Sequence, residues 1–168
     1  MFDRIGEFNS AEEINNAAAG YLKSGDTESI FAIAEENGID KEDAQDYIDG
    51  AVPEMVNPLM AAAGKLKVEA KDLELEGITK DWNDAVIDLC AEDAGICAAV
   101  RKKGKNLKDC MASILKFAFE NKVRISDKIV DATKVRHNGK EEQMRKPVYL
   151  GIPNRTEVKQ LIRDYYMK

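Results

Sequence analysis

The chain has 168 residues, 44% of them hydrophobic and 33% charged, which suits one domain or two very small ones, with a core that needs no disulfides. This composition excludes a disordered chain; no apolar run approaches the roughly 18 residues of a membrane span, and the opening residues MFDRIGEFNS lack a signal-peptide layout. The net charge of −6 hides a division: residues 1–100 hold 7 Lys and Arg against 23 Asp and Glu, and residues 101–168 hold 18 against 8.

The first predicted helix starts at Ser10. Ser10-Ala11-Glu12-Glu13 fits a capping box, and Ile14, Ala17, Ala18, Tyr21 and Leu22 recur at helical spacing until Ser24-Gly25. Asp26 or Thr27 caps a second helix through Ile30, Phe31, Ile33 and Ala34 that stops at Asn37-Gly38. Asp40 caps a third, with Ala44, Tyr47 and Ile48 inward and Gly50 after it. Asn57-Pro58 reads as an N-cap followed by proline at the first helical position, and Leu59, Met60, Ala63 and Leu66 continue that helix. Residues 68–77 are ambiguous, since Leu73 and Leu75 alternate with acids.

A helix from about Lys80 carries Trp82, Val86, Leu89 and Cys90. Asp93 caps another with Ile96, Cys97 and Val100, ending at Gly104. Asn106 opens the strongest stripe, Leu107, Cys110, Met111, Ile114, Leu115, Ala118 and Phe119. Ser126 caps a short helix, residues 134–152 read as a loop or a small hairpin around Asn138-Gly139, and Asn154-Arg155-Thr156-Glu157 opens the last helix. The prediction is an all-α bundle of eight or nine short helices. It divides into an acidic helical subdomain at 1–77 and a basic one at 78–168.

Three charged clusters are candidate partner-binding residues. Asp40, Asp43, Asp46 and Asp49 share a broad helix face beside Glu42. They do not match a calcium loop, which needs a central glycine and a closing Glu. Acids spaced along a rod can imitate DNA phosphates in a basic groove; a solvated helix face is the more ordinary reading. Arg101, Lys102, Lys103, Lys105 and Lys108 put five cations within eight residues, suited to phosphate or an acidic surface, or to a helix C-terminus. Arg155, Lys159 and Arg163 recur at every fourth position beside an apolar stripe. Such a helix can pack on a core and still touch nucleic acid.

Cys90, Cys97 and Cys110 form no CxxC pair and read as buried core thiols of a reducing, cytoplasmic protein. No nucleotide, hydrolase or zinc-protease motif occurs, and His137 lies in a polar stretch. Neither an enzyme nor a cofactor or metal is expected, and the oligomeric state is left open.

The stretches SIFAIAEENGIDKEDAQDYIDG, AVRKKGKNLKDCMASILKFAFE and LGIPNRTEVKQLIRDYY together resemble a group of small proteins carried by prophages and conjugative elements of gut Clostridia. The central stretch, with Gly104, Lys105, Leu107, Cys110 and Ile114, is also similar to the PcfK-like family of conjugative elements, some members of which inhibit the type II CRISPR effector nuclease. The resemblance implies an anti-CRISPR protein, binding the effector or its guide-RNA complex and blocking DNA targeting. The family has no accepted catalytic residues, so none is implied here. The alternative is a nucleic-acid-binding accessory protein of a phage or conjugative element that uses the basic half.

Overall fold

The computed structural model describes residues 4–168. Among them the chain forms nine helices: α1 (Ala11–Ser24), α2 (Thr27–Glu36), α3 (Lys41–Ile48), α4 (Pro58–Asp72), α5 (Ile78–Glu92), α6 (Ala94–Arg101), α7 (Leu107–Glu120), α8 (Asp127–Asp131) and α9 (Arg155–Tyr166). Four short strands join them: β1 (Val123–Arg124), β2 (Lys134–His137), β3 (Lys140–Gln143) and β4 (Tyr149–Leu150).

The fold is mostly helical, and the all-α expectation needs correcting for two antiparallel two-stranded sheets, β1 with β4 and β2 with β3. The second is a hairpin turning at Asn138 and Gly139, both at positive φ as a two-residue turn requires. The first joins two-residue segments far apart in sequence, Val123 opposite Leu150 and Arg124 opposite Tyr149, too short to leave a periodic signal.

Helix starts follow the polar caps, with informative departures. Asn57 accepts from the Met60 amide at 2.9 Å with Pro58 behind it. Asn154 and Glu157 make the reciprocal box in full. At α1, Ser10 accepts from the Glu13 amide, but the Glu13 carboxylate reaches the Asn9 amide at 2.7 Å, one residue earlier than a strict box. Asp40 stands at the start of α3 without capping it; its carboxylate accepts from Lys67 instead. The ambiguous residues 68–77 continue α4 to Asp72, and Leu73 and Leu75 pack against the core.

Two apolar clusters meet along α4. One gathers Ile14, Ala18, Ile30, Ile33, Tyr47 and Met55 from the first three helices and the segment before α4. The other gathers Leu66, Trp82, Leu89, Ile96, Ile114 and Ile162 from α4, α5, α6, α7 and α9. Neighbouring residues of α4 serve both, Ala61 the first and Ala62 with Leu66 the second. Gly64 lets the end of α2 cross α4: a Cβ there would lie 2.2 Å from the Asn37 carbonyl oxygen. Full burial of side chains this size stabilises by about 1.5–3 kcal/mol each, which makes α4 the beam on which both clusters rest.

Candidate functional site

The acidic face belongs to α3 and the residues that flank it, Asp40 and Asp49. Tyr47 and Ala44 face inward on α3 and hold the helix to the first cluster, so the acids at the other positions point away from it. Asp46 and Asp49 are exposed and Asp43 is half-buried. Asp40 pairs with Lys67 at 2.8 Å, an exposed contact on both sides. Asp49 accepts from Gln45 at 2.9 Å. Glu42, Asp43 and Asp46 have no cation within ion-pair distance among the described residues. Positions three apart on a helix rise about 4.5 Å, so α3 presents closely spaced, uncompensated negative charge.

The basic segment after α6 does not stay together. Arg101 is buried and leaves the surface set. Its guanidinium donates to the Phe8 carbonyl at 2.6 Å, to Asn37 Oδ1 at 2.9 Å and to the Ala61 carbonyl at 3.3 Å. Burial works against its charge, and Glu7 and Glu69 hold the charge in place. Lys105 turns toward α9, where its ammonium donates to the Tyr165 carbonyl at 2.7 Å and sits 4.8 Å from the Tyr165 ring centre. It thus answers the partial negative charge of that helix end. Lys102, Lys103 and Lys108 remain exposed.

The cations of α9 fall on one face, as their spacing requires, but that face looks at α5. Arg155 meets Asp88 at 3.2 Å and Lys159 meets Glu92 at 2.7 Å. The Lys159 hydrogen bond holds the Glu92 carboxyl below its ordinary range. Arg163 is half-buried on the same side. Most of the predicted basic stripe is therefore matched by acids of the same molecule.

Sequence reasoning missed the centre of the molecule. Lys65 is fully buried, donating to Glu7 at 2.5 Å and to the Lys105 carbonyl at 2.8 Å, with Glu69 at 3.7 Å. Glu69 in turn accepts from the Leu107 amide at 2.7 Å. The segment before α1 closes over these groups: Glu36 accepts from the amides of Ile5 and Gly6, and Asn9 accepts from the Lys103 amide. The network ties α2, α4, α6 and the start of α7 to residues 4–9. The signal was present as the helical spacing Ala61, Ala62, Lys65, Leu66 and Glu69, which places a lysine and a glutamate on the inward face of α4.

A cleft of about 390 Å³ opens where α5 passes the start of α9, lined by Ile78, Trp82 and Val158 with Asp81, Asp88 and Arg155 at its polar side. Another, of about 450 Å³, lies between α3, α4 and α5 and includes Asp43, Lys67 and Asn83. No group of His, Cys, Asp or Glu among the described residues is arranged to hold a metal ion, and no helix among them is long and apolar enough to cross a membrane. The thiols of Cys90 and Cys110 are buried and pushed up to about 12, chiefly by loss of solvent. No family model matches this chain, and neither a curated protein nor a solved structure matches it.

Proposed function

We propose that this chain is a non-enzymatic binding protein of a mobile genetic element that acts as an anti-CRISPR inhibitor. It docks on a type II CRISPR effector nuclease, or its guide-RNA complex, and blocks DNA targeting. The observation that carries the reading is the acidic face of α3, where Glu42 and Asp46 are exposed, Asp43 is half-buried at the edge of the neighbouring cleft, and none of the three is ion-paired among the described residues. An RNA-guided nuclease holds nucleic acid in a positively charged channel. A rod of carboxylates fits such a channel by charge complementarity, which speeds encounter and sets register more than it adds affinity.

The packing also changes the weight given to each half. The basic half spends Arg101, Lys105, Arg155 and Lys159 on contacts within the molecule. Of the predicted cluster Lys102, Lys103 and Lys108 stay exposed, and Lys122, Lys128, Lys134, Arg136, Lys140 and Arg145 are exposed elsewhere in the basic half, so salt-dependent binding to free nucleic acid is the measurement that separates the alternative.

Cleavage of target DNA by a purified type II effector with its guide tests the reading. Inhibition is expected with the wild-type chain, weakened by the combined variant Glu42→Gln, Asp43→Asn, Asp46→Asn. Undiminished cleavage at saturating protein removes the proposal. A gel shift with DNA and RNA at low and moderate salt separates the alternative, which requires tight, steeply salt-dependent binding to the free nucleic acid.

A further inference from the structure

The end of α7 and the β1–β4 sheet leave an apolar face open. Leu115, Phe119, Val123, Leu150 and Ile152 are each between 51% and 65% exposed. Leu115 and Phe119 lie one turn apart on α7. Val123 stands opposite Leu150 in the ladder, on the same side of the sheet. Gly151 faces the helix so closely that a Cβ would lie 1.9 Å from the Ala118 carbonyl oxygen. Leu150 and Ile152, on either side of it, are thereby held beside the end of α7 with their side chains exposed. Single exposed leucines need no explanation, but five large apolar side chains around one helix end mark an interaction surface.

We infer that this face binds a second copy of the chain in a two-fold dimer. The area supports it. At their fractional exposures, and with side chains of this size offering roughly 170–240 Å² each, the five expose roughly 600 Å² per copy. Two copies bury roughly 1,200 Å², the lower end of the range for stable protein interfaces, before any rim residue is added.

The rim favours a copy over other occupants. It alternates in sign: Lys116 lies by Glu120 at 3.8 Å, and Arg124 by Asp127 at 3.0 Å. A two-fold axis sets each patch against itself, so a rim of both signs can complement itself by exchanging partners. Nucleic acid would find one aromatic ring, Phe119, among four aliphatic side chains, whereas single-strand binders stack bases on aromatics. The Phe119 ring is further occupied by the Lys122 ammonium, 5.5 Å from its centre.

Size-exclusion chromatography with light scattering, from about 1 µM to about 100 µM of the 168-residue chain, reads the state directly. The expected mass is twice 18.7 kDa at the upper concentrations. Phe119→Glu and Leu150→Glu should each return it to the single-chain mass with unchanged circular dichroism. Leu59→Glu, an exposed position at the start of α4 where a carboxylate suits the helix dipole, should leave the dimer intact. A single-chain mass at the highest concentration overturns the inference. So does a dimer that survives both variants, or a mass that climbs without plateau. If either glutamate variant unfolds, amide exchange of the wild type decides: residues 115–124 and 149–152 must gain protection as concentration rises, and equal exchange at all concentrations overturns it. A monomer whose exchange in these residues slows only on adding a single-stranded oligonucleotide counts against the dimer and for nucleic acid.

Discussion

Replacing Arg101 by methionine should destabilise the fold strongly without touching any exposed surface. The side chain is 1% exposed and donates to three carbonyl-type acceptors shielded from water. Its bonds to Phe8 at 2.6 Å and Asn37 at 2.9 Å are short and charge-assisted; that to Ala61, at 3.3 Å, is weaker. Bonds of this kind contribute about 1.5–3 kcal/mol each. The guanidinium also offsets Glu7 and Glu69, which face one other buried cation, Lys65. Against these gains stands the cost of dehydrating the charge, with Nε left unpaired in the interior. Methionine relieves that cost but leaves the acceptors and carboxylates behind, and removing one partner of a buried charge network costs about 3–5 kcal/mol. Urea unfolding followed by circular dichroism measures it, with an unchanged slope ensuring that the midpoint reports stability. Lys102→Met and Lys103→Met, both exposed, should stay within about 0.5 kcal/mol of wild type. A loss below about 1 kcal/mol for Arg101→Met would refute the reasoning and return Arg101 to the surface set.

Gly64→Ala sets a methyl group 2.2 Å from the Asn37 carbonyl oxygen; because that neighbour is backbone, α2 must move, and a loss of about 1–3 kcal/mol is expected in the same assay, with a neutral result contradicting the crossing. The three thiols are buried, so a disulfide reagent at pH 8 should modify them slowly in the native protein and fully in urea; rapid native labelling of Cys90 or Cys110 would refute their placement. Glu69 has its carboxyl raised above the ordinary glutamate value, first by burial. A raised acid contributes stability that is fully present below its unfolded pKa and lost as pH rises through the folded one. Relative to Glu69→Gln, wild type should therefore gain stability as pH falls from neutral toward the ordinary glutamate range, and a flat or opposite trend in paired urea titrations counts against it.

The elements that were legible are those fixed within a few residues. Asn57-Pro58, Asn106 and Asn154 set helix starts because a cap acts on amides two or three positions away. Asn138-Gly139 set the hairpin because a two-residue turn demands positive φ locally. The β1–β4 pairing was illegible because each strand carries two residues and neither has a period. The inward face of α4 was not read from the sequence, for a different reason. Leu59, Met60, Ala63 and Leu66 showed that the helix continues, but the buried residues include Ala61, Ala62, Lys65, Leu66 and Glu69. A lysine and a glutamate are ordinarily the strongest sign of an outward face; they go inward here because Glu7 and the amide of Leu107, both remote in sequence, receive them.

The same remoteness explains why the charge division overstated the basic surface. Net charge along a segment becomes surface potential only where the fold leaves the charges unmatched. The register of α9 against α5 sets Arg155 by Asp88 and Lys159 by Glu92, and so cancels positive charge of residues 101–168 with negative charge of residues 1–100. The α3 acids escape this cancellation because the neighbouring helix α4 brings them a single exposed cation, Lys67, and Asp40 takes it. What distinguishes the candidate acidic face is thus not how many acids the first half holds. It is that Glu42, Asp43 and Asp46 form no ion pair among the described residues, so their charge is not cancelled within the fold as that of Asp88 and Glu92 is.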